Sequence, residues 1–145
     1  MTRLRPYKVR PAANVNTAYV CGKKAKKFEE DFAKLHDSKY CVALSSGTDA
    51  LHTALHALDI KPGDEVLVPV NTFIATSETI SLNYAKPVFI DHDEKTYNID
   101  VNKIEAAITP KTKAIIPVHL YGQPCEMEKI LEIAKKHNET CQISL

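Results

Sequence analysis

Short runs of continuously apolar residues, each followed by a helical pattern, constrain this chain more than any other feature. Glu65-Val66-Leu67-Val68-Pro69-Val70, Pro87-Val88-Phe89-Ile90-Asp91 and Lys113-Ala114-Ile115-Ile116-Pro117-Val118 do not alternate apolar with polar residues. A strand with one wet face alternates, whereas a strand covered on both faces does not. The runs therefore predict a sheet sandwiched between helices. Tyr40-Cys41-Val42-Ala43-Leu44 reads as a further strand of the same kind. Helices are expected over 48–58, with Leu51, Leu55 and Leu58 on one face, over 74–85, over Asp100–Ile108 and over Glu126–His137. Asp100 is the expected N-cap of the third of these. Lys61-Pro62-Gly63-Asp64 is a turn. Strands alternating with helices imply an α/β domain with a mainly parallel sheet, right-handed crossovers and ligands at the carboxyl ends of the strands.

Upstream, Ala25, Phe28, Phe32 and Leu35 recur at spacings of three and four, which makes Lys23–Leu35 a helix. Its lysines are balanced by Glu29, Glu30 and Asp31, so they read as a solvated face. Residues 1–18 carry Pro6, Pro11, Asn14 and Asn16 and read as an irregular arm. Residues 19–137 form the α/β part, and 138–145 break its rhythm. A strand is due after His137, but the chain reads Asn138-Glu139-Thr140-Cys141-Gln142-Ile143-Ser144-Leu145. The last unit is expected to lack its strand, leaving the sheet incomplete.

At 145 residues there is room for about one domain. A formal net charge of +1 provides no bulk attraction to nucleic acid or an anionic membrane. The basic start, Met1-Thr2-Arg3-Leu4-Arg5-Pro6, has no apolar segment behind it, and no run is long enough to span a bilayer. A cytoplasmic chain with reduced thiols is the expectation. Cys21, Cys41, Cys125 and Cys141 form no CxxC pair, so no zinc site is expected. Cys41, inside an apolar run, reads as buried.

The chemistry-bearing candidates follow the apolar runs. Ser45-Ser46-Gly47-Thr48-Asp49 opens a helix. The first amides of a helix lack internal partners and sit at its positive end, so such a turn either binds a phosphate or is capped by Ser46 or Thr48. Phe73 lies just past a strand end, where its ring either packs or lies flat on a planar ligand. His119 and Tyr121 in Pro117-Val118-His119-Leu120-Tyr121-Gly122 occupy a similar place, and the histidine reads as a proton relay or a structural tie. His52 and His56 share a helix face but make only half of a tetrahedral metal site. Asp91-His92-Asp93 reads as a solvated turn.

Taken in order, several blocks resemble the DegT/DnrJ/EryC1/StrS aminotransferases. They are the opening helix Gly22–Phe32, Ser45-Ser46-Gly47-Thr48-Asp49-Ala50-Leu51, Lys61-Pro62-Gly63-Asp64-Glu65-Val66 and Asn71-Thr72-Phe73-Ile74-Ala75-Thr76. Pro87–Asp91, Ile108–Ile115 and Pro117–Gly122 continue the series. The resemblance covers about residues 18–137. It implies the N-terminal part of the large domain of a fold-type-I transferase that uses pyridoxal 5'-phosphate. Such enzymes transfer an amino group, often from glutamate, to a keto sugar linked to a nucleotide, and act as homodimers. By the same resemblance, Gly47 and Thr48 hold the cofactor phosphate through their amides, Ser46 leads into that turn, and Phe73 stacks on the cofactor ring.

Two elements of the family pattern have no counterpart here. The Asp that pairs with the pyridinium nitrogen is due a few residues after His137, yet no Asp follows Asp100. No lysine occupies a motif matching the Schiff-base lysine, so no catalytic residue is assigned. The expectation is a chain inactive alone, with its divergence after about Asn138 arising from a truncated or shifted reading frame or a splice product. Two other readings stay open. One is a non-catalytic module that binds a phosphate ligand or partners a full-length subunit in a dimer. The other is an unrelated receiver-like domain, which Ser45-Ser46-Gly47 disfavours because a phosphoacceptor Asp is wanted there.

Overall fold

The computed structural model describes residues 22–137 and the backbone of Gln142–Ile143. The expected 1–18 arm, and the 138–145 tail apart from that backbone, lie outside the described residues. The chain divides into two compact units between Ala43 and Leu44.

In the first unit, α1 spans Lys23–Leu35 as its periodicity predicts. An i,i+4 pair, Lys27 Nζ to Asp31 Oδ2 at 2.6 Å, lies on its solvated side. Phe28 and Phe32 touch each other with ring centroids 5.4 Å apart, and Ala33 is buried. The following segment departs from expectation, because Tyr40–Leu44 forms no strand. The Ala43 amide donates to Glu29 Oε1 at 2.8 Å, and Tyr40 and Val42 are exposed. An apolar run becomes a strand only where a neighbour takes its backbone groups, and no described strand pairs with this one. Cys41, expected to be buried, is accordingly only half-buried.

The second unit runs α2 Gly47–Ala57, β1 Glu65–Pro69, α3 Ile74–Leu82, β2 Lys86–Ile90, α4 Val101–Ala107, β3 Thr112–Ile115, α5 Met127–Lys136 and β4 Gln142–Ile143. The strands lie in the order β2-β1-β3-β4, all parallel. The two-residue β4 corrects the expectation of a missing last strand. It pairs Gln142 with Ala114 and Ile143 with Ile115. Ladder bonds use backbone groups, so even a tail without the expected apolar run can supply them.

Successive residues of a strand point to opposite faces, and the core divides accordingly. Val66, Val68, Ala114 and Ile116 join Leu55, Ile60, Ile80 and Ala85 on one side. Leu67, Ile90 and Ile115 join Val101, Ile104, Cys125, Ile130 and Ala134 on the other. Helices α2 and α3 thus cover one face, and α4 and α5 the other, which explains the non-alternating run of β1; on the edge strand β2 the expectation fails, because Phe89 is exposed and only Ile90 is buried. All five residues of β1 are buried, as befits an inner strand.

Both α2 and α3 stop through a residue in left-handed conformation. Asp59 (φ 57°) follows α2 and Tyr84 (φ 59°) follows α3. The next amides, Ile60 to Leu55 O and Ala85 to Ile80 O, each at 3.2 Å, close the helix ends. That capping ends α3 at Leu82, short of the expected 85.

Candidate active-site rim

Parallel pairing puts the strands' carboxyl ends on one rim. Val70–Phe73 leaves β1 there, Asp91–Asp93 leaves β2, and residues 116–124 leave β3. Helix α2 ends only a short turn before β1 begins, so its C-terminus lies at the edge opposite the rim. Ser46, Gly47 and Thr48 open the other end of this helix, with no described strand before them.

Ser46 is the N-cap of α2, with extended backbone (φ −157°, ψ 164°), and its Oγ accepts from the Asp49 amide at 3.1 Å. The capping alternative is therefore real, and Ser46 performs it. The same bond leaves the Gly47 and Thr48 amides with no acceptor among the described residues. A Cβ on Gly47 would meet nothing within 4 Å, so the space beside its Cα is open. Ser45 Oγ hydrogen-bonds the Asp49 carboxylate, which holds that side chain at the helix start. The donor set fits a phosphate group: two backbone amides without acceptors at the positive end of a helix.

Phe73 is 75% exposed. Its backbone is the N-cap of α3, and its carbonyl accepts from the Thr76 amide at 3.0 Å. Of the two sequence readings, ordinary packing is excluded for this ring within the described residues.

Of the other candidates on the rim, Tyr121 is 92% exposed, whereas His119, Asp91, His92 and Asp93 make contacts within the chain. His119 Nδ1 accepts from the Cys125 amide at 3.0 Å, so the neutral ring carries its proton on Nε2. Asp91 pairs with Lys103 Nζ at 2.8 Å; this bond and the His92 amide hold its carboxyl below the usual range. Asp93 Oδ1 accepts from the amides of Thr96 and Lys95 and from the Thr96 hydroxyl, and these lower its pKa in the same sense. His92 stacks on Tyr97 at 5.6 Å between centroids. Its Nδ1 is 3.3 Å from Asp91 Oδ1 without making a hydrogen bond. His52 and His56 lie away from the rim, in a cleft of about 510 Å³ with Asp59, Lys61 and Tyr84. No group of three metal-ligating side chains occurs among the described residues. No helix of those residues is long and apolar enough to cross a membrane.

Sequence reasoning missed two asparagines that join the rim loops. Asn71 Nδ2 donates to the Tyr97 carbonyl at 2.9 Å, tying the loop after β1 to the loop after β2. Asn98, 4% exposed, ties that loop in turn to the loop after β3. The only signal was a polar amide, Asn98, set directly before the apolar Ile99.

Residues 5–140 match the sequence profile of the DegT/DnrJ/EryC1/StrS aminotransferase family. The chain is 52% identical over 111 residues to a GDP-perosamine synthase of Caulobacter vibrioides, covering 77% of this chain and 30% of the relative. It is also 52% identical over 120 residues to the dTDP-3-amino-3,6-dideoxy-alpha-D-galactopyranose transaminase of Aneurinibacillus thermoaerophilus, covering 83% and 33%. The fold superposes with a TM-score of 0.81 on an aminotransferase from Psychrobacter cryohalolentis, at 47% identity over 86% of this chain and 31% of that one. It superposes equally well, with a TM-score of 0.81 and 40% identity, on Bacillus subtilis NtdA with bound cofactor PMP, covering 84% and 28%. The chain spans about a third of the length of the curated relatives it matches. It belongs to the DegT/DnrJ/EryC1/StrS aminotransferase family, whose members depend on pyridoxal phosphate.

Proposed function

We propose that this chain carries the phosphate cup and the ring-stacking face of an aminotransferase that acts on a nucleotide-linked keto sugar, with glutamate as amino donor. One observation carries the reading: the acceptor-less amides of Gly47 and Thr48 open α2 in a chain whose Phe73 ring the fold does not bury. The relatives named for GDP- and dTDP-linked sugars support the substrate class. When bound, pyridoxal phosphate supplies the electron sink for amino transfer.

The chain's own residues bind and orient it. Gly47 and Thr48 donate backbone hydrogen bonds to the phosphate, helped by the α2 dipole. Ser46 holds the helix start in place through the Asp49 amide. Phe73 lies against one face of the cofactor ring and limits its tilt. The chain has no lysine or Asp in the matching positions that would hold a proton at the reacting atom or pair with the ring nitrogen. We therefore take the 145-residue chain to transfer no amino group by itself, and the enzyme to work as a cytoplasmic homodimer.

Substituting Gly47→Pro tests the phosphate cup. Proline is tolerated at the first position of a helix, where it removes an N–H that has no internal partner. The expected result is an intact fold with pyridoxal phosphate affinity reduced on the order of tenfold, the worth of a hydrogen bond to a charged group. Unchanged affinity would remove the cup from the proposal. Turnover of a nucleotide-linked keto sugar with glutamate by the chain alone would sink the claim of inactivity.

A further inference from the structure

Tyr121 has no structural reason to be a tyrosine. It sits in the short turn Leu120–Gly122 beyond β3, in left-handed conformation at φ 57°, and is 92% exposed. A glycine would adopt that backbone without strain. Such an outlier points to function when its surroundings hold it in place, and here they do. Asn98 Oδ1 accepts from the Leu120 amide at 3.0 Å, and its Nδ2 donates to Gln123 O at 3.1 Å and Pro124 O at 3.2 Å. One buried side chain thus clamps the turn on both sides of Tyr121. His119 fastens the same loop through the Cys125 amide.

We infer that Tyr121 contacts the nucleotide-linked sugar and that Asn98 is the residue that positions it. The inference rests on the aminotransferase reading of the rim. A phosphate cup at α2 and the ring of Phe73 already account for the cofactor. Tyr121, on the loop of the neighbouring strand and reaching into solvent, meets the part of a ligand that extends beyond it. Its ring offers a π face to a nucleobase or to the apolar face of a sugar, and its hydroxyl offers one donor and one acceptor.

The test uses the 145-residue chain with pyridoxal phosphate present and UDP-N-acetylglucosamine, dTDP-glucose and GDP-mannose as probes in equilibrium dialysis. Tyr121→Gly should raise thermal stability, because the strain is relieved, and yet weaken the bound probe on the order of tenfold, the scale of one lost aromatic stack. Tyr121→Phe should retain most of the affinity. Asn98→Ala should weaken binding in the parent chain but not in the Tyr121→Gly background, because it acts through the ring. A purely structural Tyr121 would give a Gly variant that is more stable and binds as well as the parent, which overturns the inference. An Asn98→Ala loss that persists without Tyr121 overturns the positioning role. A parent chain that holds pyridoxal phosphate but none of the three probes overturns the inference alone; one that holds neither overturns the cofactor reading as well.

Discussion

The Thr109 hydroxyl donates to Glu65 Oε2 at 2.6 Å, joining the loop before β3 to the first residue of β1. Lys86 Nζ, at the start of β2, reaches Glu65 Oε1 at 3.1 Å. One carboxylate, 8% exposed, therefore ties three neighbouring segments at the edge opposite the rim. A buried carboxylate is tolerable only with such partners. The Thr109 bond first, and Lys86 second, hold its pKa below the ordinary value of 4.5.

The sign of the pH effect follows from that depression. A carboxyl whose folded pKa lies below its unfolded value stabilises the fold above the unfolded value. That contribution is lost as the pH falls through the folded value. Glu65→Gln should therefore be less stable than the parent at neutral pH, and the gap should close on the acid side of the carboxylate range. Urea unfolding midpoints measured down that pH series check it; a gap independent of pH would count against the ionised join.

Leu55 is fully buried between α2 and the sheet, packed with Val66, Val68 and Ile80. Leu55→Ala should cost roughly 2–5 kcal/mol, the range for a leucine removed from a tight core. Chemical denaturation would register this directly. A loss well under that range would mean α2 is not held against β1 as described.

Two helix caps were expected or observed as side-chain acceptors. Asp100 Oδ1 accepts from the Asn102 amide at 3.0 Å, and Ser46 Oγ accepts from Asp49. Asp100→Ala and Ser46→Ala should each cost about 1 kcal/mol. If the α2 start holds the cofactor phosphate as proposed, Ser46→Ala should also reduce pyridoxal phosphate affinity, whereas Asp100→Ala should leave affinity unchanged.

Phe73→Ala separates ligand binding from stability. Removal of a ring that is 75% exposed should change unfolding free energy by less than about 0.5 kcal/mol. The affinity for pyridoxal phosphate should nonetheless fall. A large stability loss with unchanged affinity would return Phe73 to a packing role.

Burial pushes the Cys125 thiol above its usual pKa, and its Sγ contacts the Val118 carbonyl at 3.2 Å. The thiolate is the reactive form. Cys125 should therefore resist alkylation in the folded chain at neutral pH and react on unfolding, which mass mapping of labelled peptides would show.

The helices were legible because their signals are local. Periodicity located α1, α2 and α5, and the Asp100 cap was readable from one residue type at one position. The non-alternating run of β1 correctly implied a strand covered on both faces, and Val66, Leu67 and Val68 divide between the two cores, whereas the similar run of β2 leaves Phe89 exposed at the sheet edge. Exposure of Phe73 and of Tyr121 was not legible, since an apolar residue after a strand looks the same whether it packs or projects. Nor was the Asn98 clamp, whose three partners lie more than twenty residues away along the chain.

The sequence by itself determined the local periods, the caps, the order of the α/β units and, through its ordered motifs, the family. Tertiary structure alone decided which apolar runs became strands. Tyr40–Leu44 has the composition of a strand but no described strand beside it, while Gln142–Ile143 lacks the expected pattern yet pairs with β3. The reason is physical: helical bonds close within a few residues, whereas a strand's bonds must be met by a distant segment that only the folded chain brings alongside.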